Sequence, residues 1–236
     1  INLSKLMVEI NKIKSITLWI FVVPFFAINA CLILITNFHQ LFDAKHIIMG
    51  TIPYIDGGTS ISRTARVFPT YLIFKPAMFF TSYLLIKYWI YNKKIVLNFD
   101  PENKNIKKFI FFGIGSAVLL TLHSIFLGIK FDYSLYKFFR RFVIVAFIIF
   151  EVTAQAYLVL TLYKLKDRLI NDLNLFFLKL KMLLVSTLII VAIISIPIVS
   201  MPGNTHFKHA LEWDYFVGVI LFYVLTFFMW KKNKAD

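Results

Sequence analysis

The chain is poor in cysteine, in acidic residues and in the short motifs of soluble enzymes. Its 236 residues include one cysteine, Cys31, which excludes an intrachain disulfide and a cysteine-based metal site. It has no GxGxxG, Walker or GxSxG motif, so nothing supports a nucleotide-binding or serine-hydrolase function. Only 12 residues are acidic against 26 basic ones, which gives a net charge of +14. Ordinary soluble enzyme classes therefore find no support in the sequence.

The chain is instead rich in apolar and aromatic residues. Hydrophobic residues make up 59% and aromatic residues 18% of the chain, and the mean hydropathy is +0.76, too apolar for an ordinary soluble domain. A membrane-spanning helix needs about 20 apolar residues. We predict an all-α, multi-pass integral membrane protein, with residues 1–236 forming a single six-transmembrane-helix bundle. The predicted spans are roughly 16–38, 68–91, 109–129, 138–163, 182–201 and 209–230.

Three segments outside these spans have patterns of their own. Residues 1–15 repeat apolar side chains at helical spacing among lysines, which predicts an amphipathic segment lying on the membrane surface. Residues 39–67 are rich in Gly, Ser, Thr and Asp and form a long outside loop. Residues 164–181 again repeat leucines at helical spacing. That cytosolic amphipathic connection is predicted to be an interfacial helix or an extension of its neighbours.

The distribution of basic residues predicts the orientation. With both termini in the cytosol, sixteen lysines and arginines lie in inside segments and eight in outside loops. The positive-inside rule therefore favours cytosolic termini. Because the basic residues flank apolar segments, they favour contacts with anionic membrane lipids over nucleic acid, and no nucleic-acid partner is expected.

Several ionisable residues fall inside the predicted spans or at their outer ends, where each one needs a partner or a function. A charged residue at the centre of a span costs about 2.5–3.5 kcal/mol on insertion scales. We predict that Lys75 pairs with Glu151 or Glu212. Glu151 and Gln155 share one helix face, which indicates an interhelical hydrogen bond or a ligand site. The candidate residues for binding a lipid or another ligand are Asp56, Arg63, Lys75, His123, Glu151, His209, Glu212 and Asp214.

Two histidines near the start of the sixth span raise the question of a metal. His206 and His209 are three residues apart and would both reach a metal if helical, with His123 or Glu212 as a third ligand. No HExxH or similar signature accompanies them. We therefore predict no metal site and no cofactor.

Two segments resemble the Frag/DRAM/Sfk family of multi-span membrane proteins. The first, Pro53-Tyr54-Ile55-Asp56-Gly57-Gly58-Thr59, is similar to that family's Pro-aromatic-Ile-Ser-Asp-x-Gly stretch, and the second, His209-Ala210-Leu211-Glu212-Trp213, to its Glu-aromatic pair. The family's serine is missing here, and its following Pro-Pro-Glu is replaced by Ile61-Ser62-Arg63. The histidine expected near the start of the fourth span has no counterpart.

This resemblance implies work on membrane lipids, by remodelling or organisation. The predicted orientation adds a polar site in the outer leaflet, where several of the ionisable residues converge and would receive a lipid headgroup. Asp56 and Glu212 are the polar positions that match the family, and we expect them to matter for function more than for insertion. We expect a lipid-handling protein rather than an enzyme. Two alternatives stay open: a lipid-modifying enzyme that uses His123, His209, Glu212 and Asp214, or an accessory subunit that binds other membrane proteins.

Overall fold

The computed structural model describes residues 3–129 and 133–231, and its secondary structure there is helical, without a strand. Six helices are long and two are short, and two 3₁₀ turns lie at His39–Leu41 and Ala44–His46. The helices are α1 (Leu3–Asn37), α2 (Pro53–Asp56), α3 (Ile61–Ala65), α4 (Tyr71–Phe99), α5 (Asn105–Phe126), α6 (Ser134–Lys164), α7 (Leu175–Ser200) and α8 (Thr205–Met229).

Five of the long helices are long and apolar enough to cross a membrane, which by length and composition describes a multi-pass integral membrane protein. They lie within α1, α5, α6, α7 and α8. The sixth long helix, α4, is not among them. It carries Lys75, Pro76 and Lys87 among its apolar residues, and these lower its hydropathy.

The long helices pack as a closed ring in the order α1, α4, α5, α6, α7, α8, with α8 returning to α1. Their directions alternate, so one end of the ring holds the start of α1 and the end of α8. We call this the terminal end; there Lys14 donates a hydrogen bond to the Trp230 carbonyl. The opposite end, which we call the loop end, carries residues 39–70 and the start of α8.

Helix α1 is continuous from Leu3 to Asn37 and replaces the predicted separate surface segment at 1–15. Its early apolar residues Leu6, Ile10 and Ile13 are buried against the bundle. At 1.5 Å per residue the helix is about 50 Å long, more than the roughly 30 Å of hydrocarbon in a bilayer. The amphipathic spacing was detected correctly, but its apolar face packs on protein.

The connection between α6 and α7 forms a series of turns followed by the beginning of α7. Leu165, Leu169 and Leu173 are buried, and Asn174 caps α7 by accepting a hydrogen bond from the Phe176 amide. Its second half is thus an extension of a neighbouring helix, one of the two predicted alternatives. The leucine spacing marks buried turns at the terminal end rather than an interfacial helix.

Candidate functional site

The segment that resembles the family begins with one helical turn, α2, which is closed by its own residues. Pro53 opens the turn, and Gly57 ends it in the left-handed conformation at φ +60°. The Asp56 carboxylate accepts hydrogen bonds from the Thr51 hydroxyl at 2.6 Å and from the amides of Ile52 and Gly58, each at 2.8 Å. Asp56 therefore holds its own turn together.

These hydrogen bonds lower the pKa of the Asp56 carboxyl below its ordinary value of 3.8, the Thr51 hydroxyl contributing most and the Gly58 and Ile52 amides next. Because folding lowers this pKa, the carboxylate stabilises the turn above the ordinary value. The contribution is lost as the pH falls through the folded-state value. The carboxylate is exposed, so it remains accessible to a ligand from the solvent side.

The turn is docked on the first half of α8 by three side chains on one helix face. His206 Nδ1 lies 3.1 Å from the Asp56 carbonyl oxygen and His209 Nδ1 lies 3.0 Å from that of Gly57. Trp213 is fully buried and donates its indole N–H to the Thr59 carbonyl at 2.9 Å. We call this contact between residues 53–59 and residues 206–213 the loop–α8 joint. It brings together the two segments that carry the family resemblance.

Tyr54 extends the joint to α1. Its ring meets the Trp213 ring edge-on with centroids 4.9 Å apart, and its hydroxyl donates to Asn29 Oδ1 at 3.1 Å. Partial burial raises the pKa of the Tyr54 hydroxyl, and the negative charge of Asp214 adds to this. The loop is thereby fixed to two helices of the ring.

Glu212 contributes to the same region at the start of α3. Its carboxylate lies near the amides of Ser62 and Ile61, which are unpaired donors at a helix start. Glu212 is half-buried, whereas Asp214 on the next stretch of α8 is exposed. The contacts of Asp56 and Glu212 are thus with the loop itself, and no described contact joins these two side chains.

Three arginines at the loop end are close enough for their charges to act on one another. Arg66 follows α3, Arg63 lies within α3 and Arg140 lies in the first third of α6. The pKa of the Arg66 guanidinium lies below its ordinary value because burial removes part of it from water and because Arg140 and Arg63 add positive charge. The charge of Arg140 also acts on His123. We call these four residues the arginine cluster.

The arginine cluster has no acidic partner within the described residues. The ion pairs found among the described residues lie elsewhere. They join Lys12 and Lys94 to Glu9, and Lys45 to Asp43. Arg63 is exposed, Arg66 keeps part of its surface exposed, and Arg140 is half-buried. A group of guanidiniums without carboxylates suits an anion with several oxygen acceptors, such as a phosphate.

The predicted ion pair of Lys75 is wrong. Lys75 Nζ donates to the Ile125 carbonyl near the end of α5, at 3.3 Å, and lies 5.7 Å from the centre of the Tyr71 ring. The carbonyl groups of the last helical turn have no partner within the helix and attract a cation. The sequence located the lysine at the correct end of its helix but could not show that a helix terminus would bind it.

Glu151 lies apart from the loop end, in the interior of the ring. It is 1% exposed, and its carboxylate accepts hydrogen bonds from Ser116 at 2.6 Å, from Gln155 at 3.0 Å and from the Tyr223 hydroxyl. Six of the eight predicted site residues thus separate into three places at or inside the ring. Asp56 and His209 hold the joint with Glu212 beside it at the start of α3, Arg63 and His123 belong to the arginine cluster, and Glu151 is in the interior. The other two, Lys75 and Asp214, lie against the end of α5 and on the exposed side of α8.

Sequence reasoning missed the residues that connect these elements. Trp213 is one of them, although its position seven residues after His206 places both on one helix face. Lys181 ends the segment 164–181 that is predicted to be cytosolic, but it is fully buried. No signal in the sequence distinguished Tyr88 or Tyr223 from the other aromatic residues.

The histidines named in the enzyme and metal interpretations lie in two different regions. His206 and His209 each direct Nδ1 to a loop carbonyl. His123, near the end of α5, belongs to a different region. Across residues 3–129 and 133–231 no three His, Cys, Asp or Glu side chains form a group that would hold a metal ion. The histidines of α8 act here as hydrogen-bond partners of the loop.

Comparison of the chain with protein-family models, with curated proteins and with solved structures finds no match.

Proposed function

We propose that α4 crosses the membrane as a sixth span and that both termini lie in the cytosol. Helix α4 has 29 residues and packs between α1 and α5, which are both long enough to span. An even number of spans agrees with termini at the same end of the ring. Without the buried Lys181, fifteen basic residues still lie in inside segments against eight outside.

Cysteine labelling tests this topology. In a Cys31→Ser background, Ile55→Cys, at a position that is 81% exposed on the loop, should react with an impermeant maleimide added outside intact cells. Glu102→Cys, in the exposed connection between α4 and α5, should react only after permeabilisation. Labelling of Glu102→Cys alone in intact cells would invert the topology, and labelling of both from outside would remove α4 as a span.

We further propose that the protein handles membrane lipids by binding an anionic headgroup at the loop end. The observation that carries this proposal is the arginine cluster, three guanidiniums beside an ordered loop and without a carboxylate partner in the described residues. Phosphate oxygens accept the paired N–H groups of arginine. Membership of the Frag/DRAM/Sfk family is part of the proposal, and the contact between the two matching segments supports it.

Lipid selectivity tests the headgroup site. The purified full chain is reconstituted in phosphatidylcholine vesicles, and the immobilised fractions of spin-labelled phosphatidic acid and phosphatidylcholine are compared. Since a basic residue near a membrane surface contributes about 1 kcal/mol, Arg66→Gln and Arg140→Gln should each lower the preference for phosphatidic acid by about fivefold. Lys45→Gln, which removes an exposed lysine already paired with Asp43, is the matched control.

Two results would contradict the headgroup site. A wild-type protein without preference for phosphatidic acid would remove it, and so would equal losses in Lys45→Gln and in the arginine variants. In the second case the general positive charge of the loop end would explain the preference.

The accessory-subunit alternative is supported by one observation on α7. Only 17% of its most apolar 18-residue stretch is buried inside the structure, the smallest share among the five candidate spans. Its exposed isoleucines leave one face open to lipid or to a partner helix. A membrane protein recovered with the chain in fixed stoichiometry from mild detergent, and lost when that face is changed, would favour this alternative.

A further inference from the structure

A row of buried polar side chains crosses the interior of the ring. Glu151 of α6 and Lys181 of α7 lie at its two ends, with 1% and 0% of their surfaces exposed. Tyr88 of α4 and Tyr223 and Thr226 of α8 lie between them and are equally buried. Two ionisable groups of opposite sign are therefore enclosed in the same bundle, where a single uncompensated charge is costly.

At the acidic end of this row, hydrogen-bond donors surround Glu151. Ser116 donates to Oε2, while the Gln155 amide and the Tyr223 hydroxyl donate to Oε1. Gln155 also donates to the Val219 carbonyl at 3.2 Å. Three donors from α5, α6 and α8 stabilise the carboxylate form of Glu151.

At the basic end of the row, Lys181 has fewer partners. Its Nζ donates to Thr226 Oγ1 at 2.7 Å and lies 3.9 Å from the centre of the Phe222 ring. The same Thr226 oxygen lies 3.4 Å from the Tyr88 hydroxyl. An ammonium has three N–H donors, and one hydroxyl with one ring face satisfies them only in part.

The two halves meet at the rings of Tyr88 and Tyr223, which pack edge-to-face with centroids 5.0 Å apart. Two further oxygens of the region, Gln155 Oε1 and Asn92 Oδ1, are buried without a hydrogen-bond partner. Each of these oxygens can still accept a hydrogen bond.

We propose that Glu151 and Lys181 form one internal proton-binding site, in which the two groups share a single proton. In one state Glu151 is a carboxylate and Lys181 an ammonium; in the other they are a carboxylic acid and an amine. Moving between them breaks one N–H bond of Lys181 and forms one O–H bond on Glu151, so no further reactant is needed. Both states are neutral overall, and a state with only one charge is disfavoured in the interior.

If Glu151 and Lys181 share a proton, a change at one group changes the protonation of the other. Two groups that only fill space in the interior would not affect one another in this way. The groups that face it are Tyr88 from α4, Ser116 from α5, Gln155 from α6, and Tyr223 and Thr226 from α8, none of which carries a permanent charge. Removing the positive charge at Lys181 should therefore leave Glu151 as the acid. The proposal does not depend on the binding of lipid at the loop end.

Infrared spectroscopy of the purified full chain tests the shared proton. Lys181→Met should show one more protonated-carboxyl band than Lys181→Arg, which keeps a cation. That band should be absent from the double variant Glu151→Gln with Lys181→Met. Lys179→Met is the matched control, because Lys179 is exposed on the same helix two residues away, and its spectrum should equal that of the wild type. Equal carboxyl bands in Lys181→Met and Lys181→Arg would overturn the proposal.

A measurement of folded yield covers variants that are too unstable for spectroscopy. If the two groups compensate one another, Glu151→Gln and Lys181→Met should each lower the folded yield, and their combination should recover it at least in part. A double variant whose loss equals the sum of the two single losses would show two independent roles and overturn the proposal, as would any double variant without recovery above the worse single one.

Discussion

Replacing Gly57 by alanine is expected to detach the loop from α8. An added Cβ at this position would lie 1.7 Å from the His206 carbonyl oxygen, and the residue has a φ of +60°. The left-handed conformation costs alanine about 1–2 kcal/mol, and the overlap with the backbone of α8 adds about 1–3 kcal/mol. The hydrogen bonds of His206 and His209 to the loop should be lost together.

The temperature at which Cys31 becomes reactive measures this detachment. Cys31 is fully buried, and its thiol lies 3.4 Å from the Thr70 carbonyl beneath the loop. A thiol-reactive dye should therefore label Gly57→Ala at a lower temperature than the wild type. Gly50→Ala is the control, because Gly50 has a φ of +57° but no atom within 4 Å of an added Cβ. Equal shifts in the two variants would assign the effect to backbone conformation alone.

Replacing Trp213 by alanine should have the largest effect on the stability of the loop end. Trp213 is fully buried, packs on Tyr54 and donates its indole N–H to the Thr59 carbonyl. Truncating a buried tryptophan to alanine costs about 3–5 kcal/mol in a packed core. We expect a marked fall in the temperature at which Cys31 reacts and loss of the ordered loop.

Two variants separate the contributions of Trp213. Trp213→Phe keeps an aromatic ring but leaves the Thr59 carbonyl without its donor, so about 1–3 kcal/mol of the loss should remain. Trp19→Ala removes the same side chain from α1, where it is 54% exposed, and should change the labelling temperature little. Similar losses in Trp19→Ala and Trp213→Ala would show that Trp213 is not a central contact of the joint.

The local chemistry of the loop could be predicted from its residues. Proline, aspartate and two glycines at 53–58 are typical of a tight turn, and the structure has such a turn, closed by the Asp56 carboxylate. The partner of the turn could not be predicted in the same way. His206 and Trp213 lie about 150 residues further along the chain, and their contact depends on how α8 is placed in the ring.

Charged residues were harder to assign than apolar ones. A lysine near the end of an apolar run has the same sequence pattern whether it faces water or the interior. Lys75 binds a helix terminus and Lys181 is enclosed beside Thr226, although both positions suggested other partners. Hydrophobic periodicity indicates which face is apolar, but not which neighbouring helix will cover it.

The sequence by itself determined that the chain is helical and membrane-embedded, because length and apolar content act segment by segment and need no knowledge of neighbours. Tertiary structure decided the rest. It made residues 1–15 part of one long helix, separated the arginine cluster from Glu151, and enclosed Glu151 with Lys181 in the interior. These outcomes depend on contacts between residues far apart in the chain, and the positions of those contacts are fixed only when the six long helices close into a ring.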